Sequence, residues 1–212
     1  MALDITTLCY EVKVTDKHRR RRFTHAGMYD RIFPPYKDKS IKLLEIGVHT
    51  GGSCAVWELY FPNAKLFAVD ILSRSELPLK LPLPRTQIDV VDQGDTAALR
   101  VYAEEHGPFD IIIDDGSHYC SHQIQSFETL WEHLNIGGTY VIEDTSTSIP
   151  GRWNDDRYID TSPTCMEYFH TLVDTACMYQ GKVSHQPRLH RHIQSITFKY
   201  DMIVVNKEAL HK

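Results

Sequence analysis

The run Leu43-Leu44-Glu45-Ile46-Gly47-Val48-His49-Thr50-Gly51-Gly52-Ser53 decides the fold, because an apolar strand pattern breaks into glycines there and continues as a helical segment. A buried strand ending in a glycine turn lets backbone approach a ligand closely, and the helix that follows opens with unsatisfied N–H donors. Ile41 to Val48 reads as the strand and Ser53 to Tyr60 as the helix. Lys65 to Ile71 is a second apolar strand ending in Asp70. A strand, turn, helix and strand in that order need a right-handed crossover, so the two strands are expected to be parallel neighbours.

Working outward, Thr86 to Asp92, Phe109 to Asp115 and Thr139 to Glu143 read as further strands. Thr96 to His106 and Ser121 to Leu134 read as the helices between them, the second stopped by Gly137-Gly138. Pro78, Pro82 and Pro84 make Ser73 to Pro84 a surface loop with a broken helix. Ser162-Pro163 is expected to open another helix, and His192 to Tyr200 with Met202 to Asn206 a closing antiparallel hairpin. Residues 1 to 40 form a short helical lead-in, and 145 to 161, with Arg152, Trp153 and Tyr158, a candidate lid. The pattern is a doubly wound α/β sandwich of about seven strands, mostly parallel, forming one domain over 1 to 212.

A net charge of −5 disfavours a nucleic-acid partner, the run Arg19 to Arg22 notwithstanding. No apolar run approaches a membrane span, no signal peptide is evident, and five scattered cysteines suit a reducing cytoplasm, with self-association left open.

Three ligand classes compete for the glycine turn. A phosphate-binding loop needs a lysine where Ser53 stands, and a dinucleotide-dependent oxidoreductase needs G-x-G-x-x-G, whereas Glu45 precedes Gly47 and would repel a pyrophosphate. S-adenosylmethionine carries a sulfonium and no phosphate, so an acidic rim suits it. Its contacts are expected from Glu45, Gly47, Val48, His49, Gly51, Ser53, Asp70 and Ile71. Asp70 would take the ribose hydroxyls, Asp92 and Gln93 the adenine, and Asp114 a further contact. The E-x-G-x-x-x-G run with an acid ending the next strand resembles class I S-adenosylmethionine-dependent methyltransferases. A non-catalytic module of the same fold is the remaining alternative.

The second rim is Asp114-Asp115-Gly116-Ser117-His118 with Glu143-Asp144. Carboxylates converging on one cleft need a cation, and an all-oxygen set suits Mg²⁺. His118, just after Asp115, stands where it would remove a proton from an acceptor hydroxyl. His118 and His122 also make H-x-x-x-H, but a third zinc ligand is missing.

The runs I-D-D-G-S-H at 113 to 118 and V-I-E-D-T-S-T-S at 141 to 148 resemble the metal-dependent O-methyltransferases of macrolide and rhamnosyl sugars and the cephalosporin-hydroxylase-like group. L-L-E-I-G-V, F-P-N-A and Y-D-M-I-V-V extend that resemblance. It implies Asp115, Glu143 and Asp144 as Mg²⁺ ligands, His118 as base with Asp115 beside it, and a small-molecule hydroxyl acceptor such as a sugar. The chain departs from the pattern at Thr145-Ser146, where similar enzymes often carry Leu-His.

Overall fold

The parallel strands lie in one sheet because each βαβ crossover returns the chain to the same edge-on direction. In the computed structural model, which describes residues 3–17, 24–152, 156–177, 192–199 and 201–209, seven strands run in the order β3-β2-β1-β4-β5-β7-β6. The strands β1 (Lys42–Ile46), β2 (Lys65–Asp70), β3 (Thr86–Val90), β4 (Phe109–Asp114) and β5 (Leu134–Ile142) are parallel. The hairpin of β6 (Ile193–Lys199) and β7 (Met202–Lys207) closes the sheet antiparallel to β5. Arg19 to Arg22, Trp153 and Tyr200 lie outside the described residues.

Strand alternation sorts the core into two layers. Leu43, Ile111, Ile113, Val141 and Val204 face helices α1 (Ile5–Val12), α2 (His25–Ile32) and α3 (Gly52–Tyr60). Leu44, Ile46, Ile112, Tyr140, Ile142 and Val205 face α4 (Thr96–His106), α5 (Cys120–Leu130) and α6 (Cys165–Cys177). The same parity sends Glu45, Asp115 and Glu143, which follow the first series, toward the amino-terminal helices. Asp114, in the second series, points to the opposite layer.

Several local expectations change. Gly137 and Gly138 do not end a helix: α5 stops at Leu130, a 3-10 turn follows, and β5 begins at Leu134 and carries both glycines beside a register shift. The helix expected to open at Ser162-Pro163 starts at Cys165. The Thr164 N–H donates to Glu167 Oε2 at 2.8 Å and the Glu167 N–H to Thr164 Oγ1 at 3.4 Å, a reciprocal cap that Pro163, lacking an N–H, cannot make. Ser73 to Pro84 contains no helix. Its Leu77 and Leu83 are buried against Val48, Cys54, Ala55 and Ala68, over the start of α3.

Candidate functional site

The register pairs Ile46 with Asp114, Asp114 with Ile142 and Asp70 with Val90, so the turns after β1 to β5 share one rim. The chain order reverses between β1 and β4, the crevice where open α/β sheets bind ligands. Gly47 has φ +91°, and a Cβ there would lie 2.2 Å from the Asp115 carbonyl oxygen. A Cβ on Gly51, at φ +76°, would meet Leu83 at 2.9 Å, and one on Gly52 would meet the Thr15 nitrogen at 2.7 Å. These glycines are therefore required by the protein's own close approaches, a cause different from the ligand approach expected of them.

Asp70 ties the glycine turn to β2. Its Oδ2 accepts the N–H groups of Val48 at 2.8 Å and His49 at 3.3 Å, and its Oδ1 that of Leu72 at 3.1 Å. His49 takes a left-handed φ of 49°, which histidine tolerates better than most side chains. Asp70 is half-buried, and beside it Ile71 is 65% exposed, an apolar surface at the strand end suited to a flat ring. Asp92 is exposed after β3, with Oδ1 accepting the Gly94 N–H at 2.8 Å. Val48 and Ser53 are buried.

Three expected cofactor contacts are turned elsewhere. The Gln93 amide donates to Asp114 Oδ1 and Oδ2 at 2.7 and 2.8 Å and to Ser126 Oγ at 3.1 Å, and its Oε1 accepts the Ser117 N–H at 2.8 Å. Its carboxamide is thus unavailable to an adenine. Asp114 is fully buried in the α4/α5/α6 layer, where burial pushes its carboxyl up to about 7, so it does not face the cleft. Glu45 is 1% exposed: Oε2 accepts the Cys54 thiol at 3.1 Å, and Oε1 has no hydrogen-bond partner.

At the second rim, Asp115, His118 and Asp144 each offer one ligand atom, all within 4.8 Å of one another. His118 Nε2 stands 3.7 Å from Asp144 Oδ2, and its buried Nδ1 has no hydrogen-bond partner. Both residues hold left-handed backbone, φ 62° at His118 and 53° at Asp144, which aims them back over the strand ends. Burial and neighbouring Glu143 push the Asp115 carboxyl well above the usual range. Burial likewise raises Asp144. Carboxylates so placed favour a bound cation, and the donors present fit a hard divalent ion.

Glu143, expected among the ligands, is held differently. It is 1% exposed, its Oε1 accepts the Tyr29 hydroxyl and the Lys17 ammonium, each at 2.5 Å, and its Oε2 lies 2.6 Å from His25 Nδ1. Burial alone would raise the Glu143 carboxyl, but Lys17 and His25 hold it below the usual range. Burial opposes the His25 charge, yet Glu143 raises its pKa. Lys17, His25 and Tyr29 come from the amino-terminal lead-in and were not legible as site residues. Strand parity, which turns Glu45, Asp115 and Glu143 toward that layer, was the signal that could have found them.

The candidate lid divides in two. Thr145–Ser148 form a buried 3-10 turn whose Ser146 N–H and hydroxyl both donate to Asp201, in the β6/β7 turn. Further on, Tyr158 supplies a carbonyl to the Cys120 N–H at 2.9 Å and Asp160 accepts the Ser121 N–H at 2.9 Å. The Tyr158 ring lies 6.4 Å from that of His118 and 5.5 Å from Tyr119.

A family model described as "Methyltransferase domain" matches residues 44–145, spanning both rims. Over residues 44–145 the chain is similar to class I methyltransferase domains. It is 37% identical over 158 residues to an 8-demethyl-8-alpha-L-rhamnosyl tetracenomycin-C 2'-O-methyltransferase of Streptomyces olivaceus, covering 71% of this chain and 40% of that protein. It is 40% identical over 129 residues to an L-olivosyl-oleandolide 3-O-methyltransferase of Streptomyces antibioticus, covering 58% of this chain and 32% of the relative. The matched segments therefore span well under half the length of these curated relatives. Among solved structures, the MycE methyltransferase of the mycinamycin pathway, in complex with Mg and SAH, matches with a TM-score of 0.82 and 29% identity, over 98% of this chain and 55% of that one. No helix among the described residues is long and apolar enough to cross a membrane.

Proposed function

We propose that this chain moves a methyl group from S-adenosylmethionine to a hydroxyl of a small molecule, a sugar unit of a glycoside first, with Mg²⁺ at the acidic rim. The observation that carries the reading is the convergence of Asp115, His118 and Asp144 on the rim that Asp70 also occupies. Likeness to sugar O-methyltransferases and to a structure containing Mg and SAH supports it.

Asp70 would receive the ribose hydroxyls while its other duties keep the glycine turn in place, and Ile71 would lie under the adenine. Asp92 is exposed at the next strand end for the adenine amino group. Asp115 and Asp144 would hold the ion, whose positive charge lowers the pKa of an acceptor hydroxyl. His118 takes the hydroxyl proton. The oxygen then forms its bond to the methyl carbon as the carbon–sulfur bond breaks, leaving neutral S-adenosylhomocysteine, and His118 returns the proton to solvent. Tyr158 lies beside His118, with Tyr119 packed against it, and these rings would offer faces to a sugar.

The experiment is methyl transfer from S-adenosylmethionine to a panel of glycosides, with and without EDTA. His118→Ala is expected to lower kcat by about 10²–10⁴-fold while leaving cofactor affinity within about twofold, because general-base catalysis contributes on that scale. Turnover that survives both EDTA and His118→Ala would remove the metal and the base from the reading. Failure to bind S-adenosylmethionine in calorimetry would remove the reaction itself.

A further inference from the structure

The first turn of α5 is capped from outside the helix. Tyr119 stands at its N-cap and makes no side-chain cap bond, so the opening N–H groups need other acceptors. Residues 156 to 160 supply them. The Cys120 N–H donates to the Tyr158 carbonyl at 2.9 Å, the Ser121 N–H donates to Asp160 Oδ1 at 2.9 Å, and the Ser121 hydroxyl donates to Asp160 Oδ2. A carboxylate is favoured at that end of a helix, so Asp160 is a stronger cap than a neutral side chain would be. Backbone on both sides of Ile159 is thereby pinned, and the Ile159 N–H closes back on the Asp156 carbonyl at 2.9 Å. Because α5 begins at Cys120, just after His118, the segment is fixed against the turn that carries His118.

That docking sets where the Tyr158 ring stands. Its centroid lies 6.4 Å from that of His118, with 63° between the planes, and 5.5 Å from that of Tyr119, and the Arg157 guanidinium is 5.8 Å away over the ring. Tyr158 is half-buried, so part of it meets solvent beside His118. A sugar that presents a hydroxyl to His118 carries C–H groups on its ring faces, and an aromatic face attracts them by dispersion and by its negative quadrupole. We propose that Tyr158 is the wall that binds the acceptor sugar and that Asp160 is its positioning residue, acting through the cap on α5. The wall is a docked part of the fold, and its contact with the acceptor is separable from the cofactor contacts at Asp70, Ile71 and Asp92. The inference deepens the glycoside reading and rests on it.

The test measures binding of the methyl glycosides of glucose, mannose and rhamnose by saturation-transfer difference NMR, with S-adenosylhomocysteine present and no turnover. Tyr158→Ala is expected to weaken binding of the sugar that wild type takes by about tenfold, and Tyr158→Phe, which keeps the ring, to retain most of it. Asp160→Ala should weaken the same sugar by about threefold or more, and Asp160→Asn, which keeps an acceptor for the Ser121 N–H and offers a donor to its hydroxyl, should restore it. Calorimetry should put the S-adenosylhomocysteine affinity of all four variants within about twofold of wild type, since the two sets of contacts are separate. Trypsin under native conditions reads the positioning directly: cleavage after Arg157 should be about fivefold or more faster in Asp160→Ala than in wild type, and no faster in Asp160→Asn. A wild type that binds none of the three sugars, Tyr158→Ala that binds as wild type does, or equal losses of sugar and cofactor affinity in Asp160→Ala overturns the proposal. Cleavage of Asp160→Ala spread across the whole chain would make Asp160 a general structural support and overturn its positioning role. Failure of the methyl-transfer reading is distinguishable, because wild type without sugar either binds S-adenosylmethionine in calorimetry or does not, whatever Tyr158 contributes.

Discussion

At the ends of β1 and β2 the ordering contacts run from backbone N–H groups to one half-buried carboxylate, whereas at the ends of β4 and β5 they run between buried side chains. Asp70 collects the Val48, His49 and Leu72 amides. Glu143 collects a lysine, a tyrosine and a histidine from the opposite layer. The first arrangement tolerates loss of its side chain because water can reach the freed amides. The second does not, because deletion strands charges in a dry interior. One half of the rim is a turn steadied by a side chain, and the other is a side-chain network that fixes a turn.

Deletion should expose that difference most strongly at Glu143. Glu143→Ala is expected to cost about 3–5 kcal/mol in urea denaturation, since Lys17 and His25 lose a buried partner, while Asp70→Ala should cost about 1 kcal/mol. Equal losses would break the distinction. The junction between the halves is Gly47, pressed on the Asp115 backbone. Gly47→Ala should cost about 2–3 kcal/mol, against about 1 kcal/mol for Gly137→Ala, where φ is also positive but nothing lies within 4 Å of the added methyl. A Gly47→Ala loss no larger than that of Gly137→Ala would mean the halves do not touch there. The smallest effect expected is no reaction at all. Burial pushes the Cys9 thiol, in the amino-terminal layer that serves both halves, up to about 12. Native protein at mildly alkaline pH should leave Cys9 unalkylated by iodoacetamide in peptide mapping, and labelling at the rate of a free thiol would mean that this layer is loosely packed.

The same contrast governs what was legible in the sequence. The glycine turn and Asp70 are joined across 22 residues by one crossover unit, so periodicity and turn chemistry reach them. The seven-stranded sheet with its antiparallel close follows from the same local patterns. Asp115, His118 and Asp144 were visible as strand-end groups, and the structure brings them together. Glu143 was visible too, but its partners Tyr29 and Lys17 lie 114 and 126 residues away, on a helix and in a segment whose own sequence has no clean period. Asp114 and Gln93 were misdirected for a related reason. Strand parity showed that Asp114 and Asp115 diverge, but not that a glutamine after β3, separated from β4 in the sheet by β2 and β1, would meet Asp114 in the interior and take up its oxygens.

The segment over Gly52 that carries Lys17 imposes an order on biosynthesis. Glu143 follows Lys17 off the ribosome 126 residues later, roughly 6–25 s at common elongation rates. For the first 98 residues of that interval the lysine has neither Asp115 nor Glu143 to bind, and after that only Asp115 until Glu143 is made. The amino-terminal layer can dock on the sheet only once β4 and β5 have been made. The amino-terminal layer, made before β4 and β5, is therefore among the last parts to be locked, and the acidic rim is completed by a residue that waited for it.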